Sequence, residues 1–280
     1  MISHSEFTPV NRGVYESQRI RFLDMPFDVI DFREALDRLV KLAHGDRPAY
    51  AVTANVDHVV RFHRRPEVRH LYTQADLVVA DGMPVIWASR LLGTPLPERV
   101  AGSDLFPALC TKAAEHDLSV FLLGGAPGTA RRAAEIMQAR HPQLRVAGTW
   151  CPNHGFEKDS RQASRVVDVV HGAQPDILFV GLGSPKQERW IAANSAACGA
   201  KLSIGVGISF SFVCGDVVRA PRWMQRAGLE WFHRLCQEPG RLWKRYLVED
   251  LSFFVLVIRN LLKHGLAPRA TQGSLPEDPR

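Results

Sequence analysis

The residues able to do chemistry in this chain recur in one kind of place, the few positions after a short apolar run. Thr53 and Asn55 close "AVTAN", Asp81 follows "DLVVA", Gly124 and Gly125 end "FLLGG", and Gly183, Gln187 and Glu188 follow "DILFV" within "GLGSPKQERW". A carboxylate such as Asp81, desolvated on one side by a buried strand, can acquire the proton affinity of a general base. The same residue stands before a proline-containing first turn, where aspartate commonly caps a helix. Base and cap therefore both stay open for it. In "GGAPGTA" the glycines would let backbone N–H groups approach a diphosphate at a helix N-terminus. The stretch matches neither the dinucleotide nor the P-loop pattern, and a tight strand-to-helix turn explains it equally well. Gln187 and Glu188 are harder to dismiss, because a turn would need only the glycines and Pro185.

These positions need a scaffold that brings strand ends together. "IRFLDMPFDVID" reads as a hairpin, and Asp31 with Glu34 forms a capping-box pattern that opens a helix to about His44. Apolar strands are then predicted at "AYAVT", "DLVVA", "SVFLLGG", "LRVAGTW", "DILFVGLG" and "KLSIGVG", with helical patterns near 56–74, 84–92, 103–116, 128–140, 159–172 and 185–198 between them. Strand and helix in alternation, with strands apolar on both faces, indicate an α/β fold: a Rossmann-like, mostly parallel sheet covered by helices on both sides. Ligands of such sheets bind beyond the carboxyl ends of the strands, so the polar residues above share one rim.

After residue 216 the alternation stops. Helices are predicted near 221–236 and 239–264, separated by "QEPGR". The organisation reads as a flexible lead-in (1–19), a catalytic domain (20–216), a basic helical appendage (217–265) and a disordered tail (266–280). The chain has a net charge of +6, and nine Lys/Arg against four acids place +5 of it between Val217 and Gly265. Such a surplus suits an anionic partner. In the final segment Leu247, Leu251, Phe254, Val255, Ile258, Leu261 and Leu262 fall at helical spacing, and Phe253, Leu256 and Val257 widen the stripe. An in-plane helix with basic flanks on an anionic membrane surface is expected, against the alternative of a helix packed on the core. The appendage could also serve a homo-oligomer interface. The five cysteines show no metal-binding spacing, no secretory leader core is present, and no uncharged apolar run reaches ~18 residues. The expectation is a cytoplasmic protein, peripheral on the inner face of the plasma membrane.

"TANVDHV", "ADGMPVIW", "ERVAGSDL", "FLLGGAPG", "GLGSPKQERW", "GVGISFSF", "RAPRWMQRAGLEWFHRL" and "EPGRLWKRY" occur in this order. Together they resemble the WecG/TagA/CpsF family of bacterial glycosyltransferases from about Ile20 to Leu262. The resemblance implies an inverting transferase that moves N-acetylmannosamine, its uronic acid or another hexose from a UDP-sugar to a polyprenyl-diphosphate-linked saccharide. The products belong to exopolysaccharide, common antigen or teichoic acid synthesis. It places the catalytic aspartate on Asp81, with Thr53, Asn55, Arg99 and Gln187 beside it. Donor binding would fall to Gly124, Gly125, Gly183, Gln187 and Glu188, and to Arg234, Arg241 and Lys244 or Arg245 of the appendage. Phe210-Ser211-Phe212 stands where relatives often carry Phe-Asp-Phe, Pro84 where they carry glycine, and Asp57 where many carry glutamate; these bear on the sugar, not the reaction.

No DxD triplet occurs, so no metal or other cofactor is expected; guanidinium groups would neutralise the departing diphosphate instead. A nicotinamide-dependent oxidoreductase would share the layout but would need the glycine fingerprint and ribose acid that are missing. A non-enzymatic nucleic-acid or membrane-binding module would account for the charge and not for the polar rim, and no nucleic acid is expected as a partner.

Overall fold

The computed structural model describes residues 18–264, apart from the side chains of Arg241, Arg245 and His264. Most of the lead-in and the tail thus lie outside the described residues. The chain opens with an antiparallel hairpin, β1 (Arg19–Phe22) and β2 (Met25–Asp28). Leu23 and Asp24 at its tip have φ of 45° and 56°, the left-handed pair that a two-residue hairpin turn requires. Then come α1 (Phe32–Ala43), β3 (Ala49–Ala54), α2 (Val56–Arg64), α3 (His70–Thr73), β4 (Leu77–Ala80), α4 (Met83–Leu91) and α5 (Gly102–Glu115). They are followed by β5 (Ser119–Gly124), α6 (Thr129–Arg140), β6 (Arg145–Trp150), α7 (Ser160–Ala173), β7 (Ile177–Gly181), α8 (Lys186–Asn194), β8 (Leu202–Gly205) and α9 (Ser209–Cys214). The C-terminal segment contains α10 (Arg222–Arg226), α11 (Glu230–Gln237), α12 (Pro239–Lys244), a π-helical turn (Arg245–Glu249) and α13 (Leu251–His264).

All six strands β3–β8 are parallel, in the order β4-β3-β8-β7-β5-β6. This is the expected α/β sheet. Successive side chains of a strand point to opposite faces, and both faces are packed here. Val52, Val78, Phe121, Leu123, Leu178 and Val180 join one core with α2, α7, α8 and the hairpin. Leu77, Val79, Val120, Leu122, Phe179 and Ile204 join the other with α1, α5, α6 and Phe210 of α9. The Asp28 carboxylate ties the hairpin to the edge strand, accepting from Arg19 Nη2 at 2.7 Å and from Val78 N–H at 2.7 Å. Asp31 and Glu34 form the expected reciprocal capping box at α1.

Two helical segments depart from expectation. The stretch expected as one helix near 221–236 is α10 and α11, split at Gly228. That glycine has φ +66°, and a Cβ on it would lie 2.4 Å from the Trp87 ring, so the chain turns there to pass the indole. The helix expected over 239–264 is likewise interrupted by the π-helical turn at Arg245–Glu249. On α13 the apolar stripe is inverted. Phe253 and Val257, which had looked like the surplus, pack on the core with Leu256 and Leu261 beside them. Leu251, Phe254, Val255, Ile258 and Leu262 of the expected stripe are exposed.

Candidate active site

At the carboxyl ends of β3, β4, β7 and β8 lies a cavity of about 390 Å³. Its floor and sides come from the sheet rim and include Thr53, Asn55, Asp81, Arg99, Gly183 and Gln187. Its roof comes from the C-terminal segment, through Gln225, Glu230, Trp231, Arg234, Tyr246 and Phe254. The crevice is therefore closed by residues 38 to 201 positions away in sequence from its floor and sides.

Asp81 leaves β4 with its N–H bonded to Ala54 O at 2.8 Å. It does not cap α4: the cap is Gly82, with no side-chain hydrogen bond. The cap alternative for Asp81 is thereby removed. One carboxylate oxygen accepts from the Gly102 N–H at 3.3 Å. Burial pushes this carboxyl up to about 6; Arg99 and the Gly102 N–H pull the other way, while Glu230 and Asp104 add to the rise. A carboxylate that titrates near neutrality and faces a cavity has the properties of a general base.

Arg99 approaches from the loop before α5. It donates to Glu230 Oε2 at 2.6 Å, to Asp104 Oδ2 at 3.2 Å and to Gln225 Oε1 at 3.3 Å. Arg219 completes the square, donating to Asp104 Oδ2 at 2.8 Å and to Glu230 Oε1 at 3.4 Å. Burial raises the Asp104 carboxyl, but the Arg219 hydrogen bond and charge outweigh it and hold it below the usual range. Arg234 lines the cavity from α11, and its enclosed Nε has no hydrogen-bond partner.

Gln187 and Glu188 open α8 and are almost wholly buried. The Gln187 amide donates to Glu188 Oε1 at 2.8 Å and accepts from the Gly207 N–H at 3.1 Å. The Glu188 carboxylate meets His58 Nε2 at 3.2 Å. Burial opposes its ionisation, yet His58 and Gln187 prevail and keep it below the usual carboxylate range. His58 Nε2 also lies 3.2 Å from Ser184 Oγ, which accepts from Arg61 Nη1 at 2.7 Å. The polar cluster that a turn did not need is thus a buried chain holding three rim loops in register: the α2 N-terminus, the Gly183–Pro185 turn and the Gly207 loop.

Thr53 is buried beneath Gly102, with Oγ1 3.5 Å from Gly205 O. Asn55 caps α2, its side chain accepting from Asp57 N–H at 3.1 Å. Asp81, Thr53, Asn55, Arg99, Gly183, Gln187 and Arg234 thus share the cavity, and Glu188 lies just under its wall. Gly124 and Gly125 do not line it. A Cβ at Gly124 would lie 2.7 Å from Gly181 O, so strand packing already requires that glycine. Lys244 is exposed and does not line it either. The side chains of Arg241 and Arg245 lie outside the described residues. Sequence reasoning missed His58, Ser184, Asp104, Arg219 and Glu230. His58 stands three residues after the cap Asn55, a capping-box spacing that could have exposed it; Glu230 lay inside "GLEW", quoted without a role.

A family model, described as "Glycosyl transferase WecG/TagA/CpsF family", matches residues 20–266. The chain belongs to this family. It is 34% identical over 202 residues to the N-acetylglucosaminyldiphosphoundecaprenol N-acetyl-beta-D-mannosaminyltransferase of Bacillus spizizenii, covering 72% of this chain and 76% of the relative. It is 32% identical over 196 residues to the protein of the same name from Staphylococcus aureus, covering 70% and 73%. The chain is accordingly a glycosyltransferase, and the oxidoreductase reading falls.

Proposed function

We propose that this WecG/TagA/CpsF-family enzyme transfers N-acetylmannosamine or a related hexose from a UDP-sugar to a polyprenyl-diphosphate-linked saccharide, with inversion at the anomeric carbon. The names of the two relatives supply the acceptor chemistry, and the family supplies the donor. The observation that carries the mechanism is the uncapped Asp81 carboxyl on the floor of a cavity roofed by Arg234.

Asp81 removes the proton from the acceptor hydroxyl as its oxygen attacks the sugar's anomeric carbon. The bond from that carbon to UDP breaks, and UDP departs with the electron pair. Arg234, in the cavity wall, sets its guanidinium charge against that leaving group, and a preorganised donor of this kind contributes about 3–4 kcal/mol to a transition state. Gln187 and Glu188 act through the loops they hold, because the Gln187 amide and Glu188 Oε1 already bond to protein. Charge neutralisation by guanidinium makes a divalent metal unnecessary in this mechanism.

No described helix is long and apolar enough to cross a membrane. We place the enzyme on the cytoplasmic face, peripherally, through the exposed face of α13 and the half-exposed Trp223 and Trp243. Such a face with basic flanks binds anionic lipid, and the acceptor diphosphate lies at headgroup level. The direct test is transfer by the full chain on anionic vesicles carrying N-acetylglucosaminyl-diphosphate-undecaprenol, across a panel of UDP-sugars. Turnover with at least one UDP-hexose is expected. Turnover with none, or only on water-soluble acceptors, would overturn the reading.

A further inference from the structure

Four charged side chains meet at the mouth of the cavity, two cations and two carboxylates. Arg99 and Asp104 belong to the core; Arg219 and Glu230 belong to the C-terminal segment. Each half carries one cation and one carboxylate, and docking balances them crosswise, Glu230 against Arg99 and Arg219 against Asp104. Arg99 and Glu230 are only 15% and 20% exposed, so water screens the balance weakly. Every hydrogen bond that Arg99 donates runs to Glu230, Asp104 or Gln225; Asp81 receives its bond from Gly102 instead. Arg99 therefore stands beside the base without pairing with it, and Glu230, at 2.6 Å, is its shortest tether.

We propose that Glu230 is a positioning residue for the transfer: by clasping Arg99 it keeps that guanidinium from pairing with Asp81, so the base is basic only beneath a docked C-terminal segment. The inference rests on reading Asp81 as the base. A base paired with a guanidinium would hold its proton too loosely to take one from a sugar hydroxyl. Docking thus does more than bring cations to the donor. It brings a carboxylate that draws a cation off the base. The remaining titratable groups on the cavity wall are His58 from α2, Arg234 from α11, and Tyr246 and Asp250 ahead of α13. None of them hydrogen-bonds Arg99.

The test reads Asp81 directly, without substrate. Full-length protein labelled with carboxyl-¹³C aspartate is titrated by NMR, with the Asp81 signal assigned by its loss in Asp81→Asn. The wild type is expected to titrate near pH 6. In Glu230→Gln the midpoint is expected about one pH unit lower, the joint effect of a like charge removed and an opposite charge freed nearby. Glu230→Asp keeps the charge and is expected to return the midpoint to near the wild-type value. An unmoved midpoint in Glu230→Gln overturns the proposal, as does an equal fall in both variants, which would assign the effect to geometry alone. Turnover of Asp81→Asn judges the base itself, so the two readings fail separately.

Discussion

On α13, Phe253 is fully buried against Phe22 of the hairpin, whereas Phe254, the next residue, is 52% exposed. The contrast extends to the whole molecule. Among the described residues, twelve of the fourteen exposed large hydrophobics fall after residue 216. The other two, Trp87 and Leu91, lie on α4, and Trp87 packs against Gly228. The sheet and its helices spend their apolar surface on each other; the C-terminal segment buries a narrow face and presents a wide one. A surface of that size on one element marks an interaction site. The difference also separates two kinds of polar residue. Rim residues of the core are mostly bonded to protein, while Arg234 of the C-terminal segment lines the cavity and has an enclosed Nε without a partner.

The sharpest break in this comparison comes from Asp81, a core carboxyl that burial holds above its ordinary range. Asp81→Asn is expected to lower turnover by ~10²–10⁴-fold with UDP binding retained, measured by steady-state kinetics and calorimetry. The same variant should be more stable than the wild type. The fold holds this carboxyl up at about 6, above its ordinary 3.8, so it penalises the ionised form. The penalty builds as pH rises from about 4 to 6 and is complete above that. The gain from asparagine is therefore expected at pH 7.5, up to about 3 kcal/mol, and should vanish below pH ~4. Melting temperatures at the two pH values check it. A base that costs the fold nothing would show equal melting at both.

Phe253 and the outward pair Ile258 and Leu262 test the division within one helix. Phe253→Ala is expected to cost about 3 kcal/mol of stability, as for a large aromatic removed from a packed core. The pair Ile258→Glu and Leu262→Glu should leave the melt unchanged, because both side chains are exposed and neither lines the cavity. It should abolish flotation with anionic vesicles and transfer to the lipid-linked acceptor. Retained flotation in the double variant would mean that the exposed face serves something other than a membrane.

What could be seen in the sequence divides along the same line. Every strand of the sheet was legible because each is an apolar run ended by glycine or a polar residue, and the rim followed from the parallel arrangement. The C-terminal segment was less legible. Its breaks at Gly228 and Arg245–Glu249 arise from tertiary contact, such as the Trp87 ring beneath Gly228, which leaves no mark in local periodicity. An all-round apolar helix gives no clue to which stripe is inward, so Phe253 and Val257 were taken for the excess. Within the site, Asp81 was legible from its strand end. The bond from Arg99 to Glu230 was not, because it joins residues 131 positions apart. Glu188 was expected at the donor; the partner its carboxylate meets, His58, is brought by α2 and left no sign in the sequence around Glu188.

Gln187 sharpens the contrast between bonded and free polar groups. Gln187→Ala removes the bonds to Gly207 and Glu188 and leaves two buried groups less satisfied. A cost of about 1–2 kcal/mol is expected, with a moderate fall in turnover through the displaced Gly207 loop. If turnover collapsed as far as in Asp81→Asn with no change in melting, Gln187 would belong with the reacting groups after all.

The smallest expected effect is none: excess EDTA should leave the transfer rate where it was. A nucleotide-sugar enzyme that clamps its diphosphate through a metal needs carboxylates free to ligate it. The sequence has no DxD triplet to offer. Of the three carboxylates on the cavity wall among the described residues, Asp81, Glu230 and Asp250, two are committed: Glu230 is already clasped by Arg99 and Arg219. Asp81 is assigned to the acceptor proton, and a metal on it would fix it in the ionised form and spoil it as a base. The C-terminal segment instead brings cations, with Arg234 already in the wall. Guanidinium supplies charge and directed N–H bonds to phosphate oxygens without any bound ion. Rates are to be compared before and after chelation, then with Mn²⁺ or Mg²⁺ restored. Activity lost to EDTA and recovered with the ion would return the leaving group to a metal, and leave the cations of the C-terminal segment to the lipid surface alone.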